Sequence, residues 1–576
     1  MSDRTSAQPP DPGSMLPDRR LLLPNALRHW AAATPDAVFL EHVDGRRLTY
    51  RAASAAAERW AAALRSAGVA PGEHVAYLIA DPLDSALVWL GAAAAGNVAV
   101  PVNSAYFGRM LAHVLDDSDA VAVVVAAGFL DRLAEVADGL PGLRNVVIVG
   151  ESDASGTLGQ AVVSSGGRLP DSVPEVADAA CGVEGDEGEG HEVEGYDTAA
   201  ILYTSGTTGP SKGVVTPWAA MHGYWSWVPD DTLTTGEALY CPMPLFHISG
   251  LGALHYTLSR GGRFVTRDKF SGTAFWDDVR AAGAVAAGLV GPMTALLHSL
   301  PARPDDADNP LRGIVLGPMI AEIAAFEARF GVRVATSYGM TEVPPLVVTG
   351  WDHGPWQTSG RVRTGYPWAE VRVVDEHDVP VPVGATGELV VRAGAPWALN
   401  AGYYKMPEAT ARAWRNGWFH TGDAFRQDED SRFYFVDRMK DAIRRRGENI
   451  SSFEVEAFVL DAPSVAECAA FAVPGSFGGD EVMIAVVPAD GDKVDPAVLA
   501  QHLADRMPGY MVPRYIDVVE QLPRNTTSLR IQKHVLRERG VTAGTWDRAA
   551  ESQAARVENP ADTRVENRAD TRAETS

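Results

Sequence analysis

Short runs rich in valine and alanine alternate along the first half of the chain with longer segments whose apolar residues recur at helical spacing. Ala26–Ala33 and Ala52–Ala67 carry the Ala, Leu and Trp positions of amphipathic helices, and Asp84–Ala95 predicts another. Between them His74–Ile79, Val98–Val102, Ala120–Val125 and Asn145–Val149 predict strands. Strands and helices taken in turn build a parallel layered sheet. The alternation resumes with Ala199–Tyr203, Ala238–Cys241, Arg263–Val265, Ala286–Val290, Gly313–Leu316 and Arg333–Ser337. The expected fold class is therefore α/β, a large N-terminal domain of two layered α/β sheets sharing one core. Val371–Val374 and Gly387–Val391, bounded by Asp, Pro and Gly turns, predict the antiparallel strands of an added β-rich subdomain. After Phe433–Val436 a charged turn opens a small, mobile α+β C-terminal domain.

A chain of 576 residues is too long for one core, which agrees with this division. The expected segments are a disordered lead over 1–24, the N-terminal domain over 25–438, the C-terminal domain over 439–540 and a disordered tail over 541–576. Within the tail, Arg556-Val-Glu-Asn-Pro-Ala-Asp-Thr returns as Arg564-Val-Glu-Asn-Arg-Ala-Asp-Thr. A composition of 46% hydrophobic and 22% charged residues is that of a soluble globular protein. The formal charge of −24 argues against nucleic-acid binding, because a phosphate backbone would be repelled. Part of that charge lies in the acidic, glycine-rich Glu184–Glu194, in a loop of about residues 180–196 expected to stay solvated and mobile. Cys181, Cys241 and Cys468 have no metal-ligand spacing, which suits ordinary thiols in a reducing cytoplasm. Met1–Arg20 lacks the apolar centre of a signal peptide, and no apolar run approaches the ~20 residues that span a bilayer.

The candidate chemistry begins at Tyr203-Thr-Ser-Gly-Thr-Thr-Gly-Pro-Ser-Lys-Gly-Val214, behind an apolar strand. Glycines let backbone N–H groups turn toward an anion, Thr204, Ser205, Thr207 and Thr208 add hydroxyl donors, and Lys212 adds a point charge. Such a loop suits phosphate. Its spacing differs from the P-loop, since Pro210 and Ser211 separate Gly209 from Lys212. A second cluster, Ser337-Tyr-Gly-Met-Thr-Glu342, follows a predicted strand at the sheet edge where ligands of open α/β folds collect. There Tyr338 offers a face for a base, Thr341 a hydroxyl for a phosphate oxygen and Glu342 an oxygen ligand for a hard cation.

Together these motifs resemble the adenylate-forming superfamily of acyl-CoA synthetases, adenylation domains and luciferases, over roughly residues 25–540. Its loop signature has Pro and Ser transposed here, as Pro210-Ser211-Lys212. The resemblance implies an ATP site built from Thr204, Ser205, Gly206, Thr207, Thr208, Gly209, Lys212, Gly317, Tyr338, Gly339, Met340, Thr341, Asp423 and Arg438. It implies Mg²⁺ on Thr204 and Glu342, and a ribose clamp at Asp423 of Thr421-Gly422-Asp423, a role that suits an acceptor-only carboxylate. Lys440 matches the pivot of the C-terminal domain, and Arg444–Arg446 with Glu448-Asn-Ile resembles the loop that helps build a pantetheine tunnel. His247 of Pro244-Leu-Phe-His-Ile-Ser-Gly250 matches a histidine beside the carboxylate and the acceptor path. The expected catalytic set is Lys212, His247, Thr341, Glu342 and Arg530.

Two departures bear on the substrate. Gly317-Pro318-Met319-Ile320 is shorter than the Gly/Ala-rich segment usual in the superfamily, which implies an atypical acyl pocket. Near the C-terminus, Leu522-Pro-Arg-Asn-Thr-Thr-Ser-Leu-Arg-Ile-Gln-Lys533 has no Gly-Lys pair, so Arg530 takes the place of the lysine that bridges carboxylate and α-phosphate. The activity expected from the layout, closest to carnitine-type, medium-chain and aryl CoA ligases, is ATP-dependent joining of a carboxylate to CoA. Alternatives are activation of another anion, such as nitrite in a diazotase of an aryl amine, loading of a carrier protein, or nucleotide binding without catalysis. Bulky Trp225 and Trp227 suit a short or aromatic acid over a long chain, and suit ordinary core packing equally well. Oligomeric state is not legible in the chain.

Overall fold

The computed structural model describes residues 15–149, 160–164, 191–204, 211–320, 322–365, 368–438, 442–445, 448–475, 479–489, 491–523, 531 and 533–551. By its internal contacts the chain divides into two compact units, with the main boundary between Lys440 and Asp441.

Two sheets organise the first unit. One has the order Gln160–Ser164, Asn145–Val149, Ala122–Ala126, His74–Leu78, Val98–Pro101, Thr198–Thr204, Lys212–Pro217. Its inner strands run parallel and the two outermost are antiparallel to their neighbours. In the other sheet a parallel block, Val38–His42, Arg263–Thr266, Ala238–Tyr240, Ala284–Val290, Gly313–Gly317 and Arg333–Met340, continues without a break into antiparallel strands. These are Val343–Val348, Thr358–Val362, Phe433–Arg438, Phe419–Gln427, Thr386–Ala393 and Ala369–Val374. The β-rich portion is thus an extension of the second sheet, and it runs past Asp423 to Arg438.

The helix Pro82–Ala94 explains how two such layers share a core. Asp81 starts it by accepting the N–H groups of Leu83 and Asp84 at 2.9 and 3.0 Å, and Pro82 supplies a preset φ. Beyond that cap the helix is apolar on nearly all sides, as a helix enclosed by protein must be. Gly91 lets it approach Tyr50–Ser66 closely, because a Cβ there would lie 2.2 Å from the Cβ of Trp60. On the other side Trp89 stacks on Trp218 at 6.0 Å. One apolar cluster then takes in Val124 of the first sheet and Leu239 and Phe264 of the second.

His222 and His255 lie in this interior, ring to ring at 5.7 Å. Burial, and secondarily the Arg363 guanidinium, depress His222 to about 4 from 6.5. The unfolded chain therefore binds more protons between those two values, so stability falls as pH drops through that window. The difference amounts to about 3 kcal/mol. Thermal unfolding followed from pH 7 to pH 5 is expected to show a shallower decline for His222→Gln than for the parent. Equal slopes would show that His222 does not titrate on unfolding.

The second unit pairs Val465–Pro474 with Asp480–Pro488, which runs parallel to Tyr515–Val518, under the helices Ser452–Leu460, Pro496–Ala504 and Lys533–Arg539. Lys533 is fixed there, its ammonium 2.7 Å from Glu456 and donating to Ser452 at 2.8 Å. Arg445, in the hairpin of Ala442–Arg445 with Glu448–Ser451, is buried against Glu481 at 2.6 Å and donates to the carbonyls of Tyr510 and Val512. That arginine is a strut of its own unit.

Parts of the three stretches expected to be disordered lie among the described residues. In the lead, Leu22 and Leu23 are buried. In the acidic loop Val193 joins that core, while Arg19 pairs with Glu192 and, at 3.1 Å, with Glu194. In the tail Trp546–Asp547 adds an edge strand to Tyr515–Val518, and Asp547 pairs with Arg514 at 3.1 Å. Cys241 and Cys468 are buried free thiols, Cys241 pushed up to about 12 by burial, which fits their expected inertness. Cys181 and the repeats of the tail lie outside the described residues.

Candidate functional site

The strands Thr198–Thr204 and Lys212–Pro217 form a hairpin in which Thr204 stands opposite Lys212 and Tyr203 opposite Gly213. Ser205, Gly206, Thr207, Thr208 and Gly209 of its tip lie outside the described residues. Both strands are held at the base of the hairpin by one helix, Gly108–Asp117. Tyr203 donates to Asp117 at 2.7 Å, and His113 Nε2 hydrogen-bonds the Ser211 carbonyl at 2.9 Å. Gly213 is required by packing, since a Cβ there would lie 2.7 Å from Ile201.

A segment that the motifs did not single out, Asn400–Tyr404, lies along this hairpin as a short extra strand. Val215 donates to the Gly402 carbonyl at 3.0 Å, Ala401 to Val215 at 2.8 Å, and Tyr404 to Gly213 at 2.7 Å. Tyr403 thereby comes between two expected site residues. Lys212 Nζ lies 4.9 Å from the centre of its ring, and its hydroxyl donates to Glu342 Oε1 at 2.8 Å. Burial, with the adjoining Glu342 carboxylate second, drives the Tyr403 phenol far above its ordinary range, so it remains a donor.

Glu342 sits in a tight turn. Arg333–Met340 and Val343–Val348 are antiparallel with Met340 opposite Val343, which leaves Thr341 and Glu342 as the connection. The strand expected to end at Ser337 therefore continues through Tyr338 and Gly339. Asn400 fastens the turn by donating its backbone N–H and its side-chain amide to the Glu342 carbonyl at 3.1 and 2.8 Å. Tyr224 donates to the carbonyls of Met340 and Thr341.

Tyr338 joins this turn to the ribose-clamp candidate. Its hydroxyl donates to Asp423 Oδ2 at 2.6 Å while its ring meets Phe425 edge-on at 4.7 Å. Asp423 is buried and stands opposite Arg438 in the sheet register. Gly317 ends the strand Gly313–Gly317 beside this strand, and a Cβ on it would be 3.3 Å from the Ser337 carbonyl. Its neighbours Met340 and Thr341 are half-buried and Gly339 is exposed. Thr204, Lys212, Tyr338, Thr341, Glu342 and Asp423 are thus linked through Tyr403, Tyr338 and the strand pairings. His247 begins the helix Ile248–Ser259, its ring 4.6 Å from that of Phe246. The bend before it needs Gly250, because a Cβ would lie 2.3 Å from the Pro244 carbonyl oxygen. Lys440 and Arg530 lie outside the described residues.

Residues 27–404 match the AMP-binding enzyme family, and residues 454–528 match the AMP-binding enzyme C-terminal domain. The chain belongs to the AMP-binding enzyme family. A crotonobetaine/carnitine–CoA ligase of Salmonella paratyphi B is 31% identical over 527 residues, covering 87% of this chain and 95% of that protein. Among solved structures, the amide bond synthetase McbA of Marinactinospora thermotolerans is 25% identical with a TM-score of 0.74, covering 89% of this chain and 99% of its own. The o-succinylbenzoate CoA synthetase of Bacillus subtilis, at 24% identity, shares the fold with a TM-score of 0.74 over 90% of this chain and 99% of its own.

In this AMP-binding enzyme the donors and acceptors suit a nucleotide with its metal. Among the described residues no group of three or more His, Cys, Asp or Glu side chains could hold a metal by protein ligands alone. One buried carboxylate beside a hydroxyl, Glu342 next to Thr341, fits Mg²⁺, which takes few protein ligands and completes its shell with phosphate oxygens and water. No helix among the described residues is long and apolar enough to cross a membrane. Tyr403, Asn400 and Tyr224 were missed by sequence reasoning. The one local signal at Asn400-Ala-Gly-Tyr403 is a glycine, Gly402, at φ 113°, followed by two tyrosines.

Proposed function

We propose that this protein is an ATP-dependent carboxylate–CoA ligase. The proposal is supported by the linked set Lys212–Tyr403–Glu342 and Tyr338–Asp423, which joins a cation and two buried carboxylates through two tyrosines. In the first half-reaction a carboxylate oxygen attacks the α-phosphorus of ATP, the bond to the β-phosphate oxygen breaks, and pyrophosphate leaves. In the second a thiolate sulfur attacks the acyl carbon, the bond to the AMP oxygen breaks, and the thiol proton passes to solvent. Lys212 and the loop beyond Thr204 would hold phosphate charge, Asp423 and Arg438 the ribose, and Tyr338 the base. Glu342 would hold Mg²⁺, which supplies charge neutralisation on the phosphates when bound. Arg530 would carry the positive charge toward the carboxylate, His247 would orient the acid or its acceptor, and Lys440 would be the pivot of residues 439–540.

CoA as acceptor is supported by the carnitine-type ligases, which the chain matches over most of its length. The test is to incubate the protein with MgATP and a panel of short, branched and aromatic carboxylates, with and without CoA, and to measure pyrophosphate, AMP and thioester. An acyl-CoA formed in step with AMP is the expected result. AMP formation only with nitrite and an aryl amine, or only with a carrier protein, would replace CoA ligation by that reaction.

A further inference from the structure

Asp423 reaches its place on an irregularity in the sheet. Glu388 stands opposite Ala424 and Val390 opposite His420, so the two-residue step on Thr386–Ala393 is met by four on Phe419–Gln427. The excess residues form a bulge over Thr421, Gly422 and Asp423, with Gly422 in the left-handed region at φ 71°. Bulges re-aim side chains and leave backbone groups without ladder partners, which other groups must satisfy. Thr421 answers part of this, donating its hydroxyl to the Leu389 carbonyl at 2.7 Å and accepting the Asp423 N–H at 3.2 Å. Glu388 answers a further part, for its Oε1 accepts the Gly422 N–H at 3.0 Å.

The other oxygen of Glu388 is held as firmly. Its Oε2 meets His420 Nδ1 at 2.9 Å and Arg415 at 3.0 Å. Asp378, at 3.4 Å from Arg415 and 3.7 Å from His420 Nε2, closes the group from the far side, and Asn416 donates to Asp378 as well. The Glu388 and His420 side chains are only 11% and 3% exposed, so the Glu388–His420 contact is shielded, while Arg415 braces it from the surface at 44% exposure.

We propose that Glu388, oriented by His420 and Arg415, is a positioning residue for the ribose clamp: it fixes the Gly422 peptide and so sets where the Asp423 carboxylate meets the sugar. The inference rests on the assignment of Asp423 to ribose. It goes beyond any residue in the expected ATP site, none of which lies on Thr386–Ala393. Removing Glu388 frees a peptide N–H and lets the bulge relax while leaving every phosphate-facing group in place. The loss therefore falls on recognition of the ribose hydroxyls.

The test compares ATP with 2′-deoxyATP and 3′-deoxyATP as substrates of the full-length protein, for the parent, Glu388→Ala, Glu388→Gln and Asp423→Ala. For Glu388→Ala the KM for ATP is expected to rise about tenfold with kcat little changed. Its preference for ATP over the deoxy nucleotides should fall toward that of Asp423→Ala. Glu388→Gln, whose amide oxygen can still accept the Gly422 N–H, should recover part of both. A merely structural loss would lower activity with all three nucleotides by one factor and leave the preference intact, which would overturn the proposal. Should Glu388→Ala fail to fold, the glutamine variant decides, because an unchanged preference there has the same consequence. If Asp423→Ala itself keeps the preference, the ribose assignment fails; if only the Glu388 variants keep it, the assignment stands and the positioning role falls.

Discussion

Glu342→Ala is expected to lower acid-dependent pyrophosphate release by about a hundredfold to a thousandfold, the cost of removing one preorganised charged group from a site where charge develops. The carboxylate is buried and aimed, with Tyr403 on one oxygen and the main chain of its turn held by Asn400 and Tyr224. Alanine deletes the carboxylate and with it the acceptor of the Tyr403 hydroxyl, so Glu342→Gln, whose amide oxygen can still accept, is measured beside it. The bonds from Asn400 and Tyr224 run to backbone oxygens and survive, so the turn should keep its shape and the melting temperature should move little. Calorimetric titration supplies a readout independent of turnover: affinity for ATP should lose most of its dependence on Mg²⁺. A variant with near-parental rates and an unchanged Mg²⁺ dependence would remove Glu342 from the nucleotide site.

Asp423→Ala is expected to act on binding, raising the KM for ATP about a hundredfold through loss of charge-assisted hydrogen bonds to two hydroxyls. Tyr338 complicates the substitution, since its hydroxyl donates to Asp423 Oδ2 at 2.6 Å and would lose its acceptor. Asp423→Asn separates the effects. The amide oxygen keeps an acceptor for Tyr338, so the asparagine variant should fold like the parent and still bind ATP about tenfold more weakly, having lost the ionic part of the interaction. Steady-state kinetics over a range of ATP concentrations, with melting curves for both variants, measure each quantity. An unaltered KM in both would place the sugar elsewhere.

How far the chain could be read in advance depended on whether a feature was local. Strands such as His74–Leu78, Asn145–Val149 and Gly313–Gly317 announce themselves as continuous apolar runs, because a parallel strand covered on both faces is apolar throughout. The motif residues could be proposed for a similar reason, each motif lying within a few consecutive positions. Arg333–Met340 ran past its expected end because Tyr338-Gly339 resembles a turn, whereas pairing with Val343–Val348 draws it onward. Trp546 makes no period with its polar neighbours, and its strand exists only because Tyr515–Val518 had a free edge. Tyr403, Asn400 and Glu388 were hidden altogether, since what each does is decided by a residue dozens of positions away. Lys440 and Arg530 keep the status of expectations.

The bridge formed by Asn400–Tyr404 has a mechanical consequence. One short piece of backbone is paired to the hairpin of Thr198–Thr204 with Lys212–Pro217, and its side chains hold the turn that carries Glu342. Hairpin and turn are therefore coupled through it, and a displacement of one is passed to the other. Whatever binds against these groups meets side chains whose ordering entropy was already spent on folding.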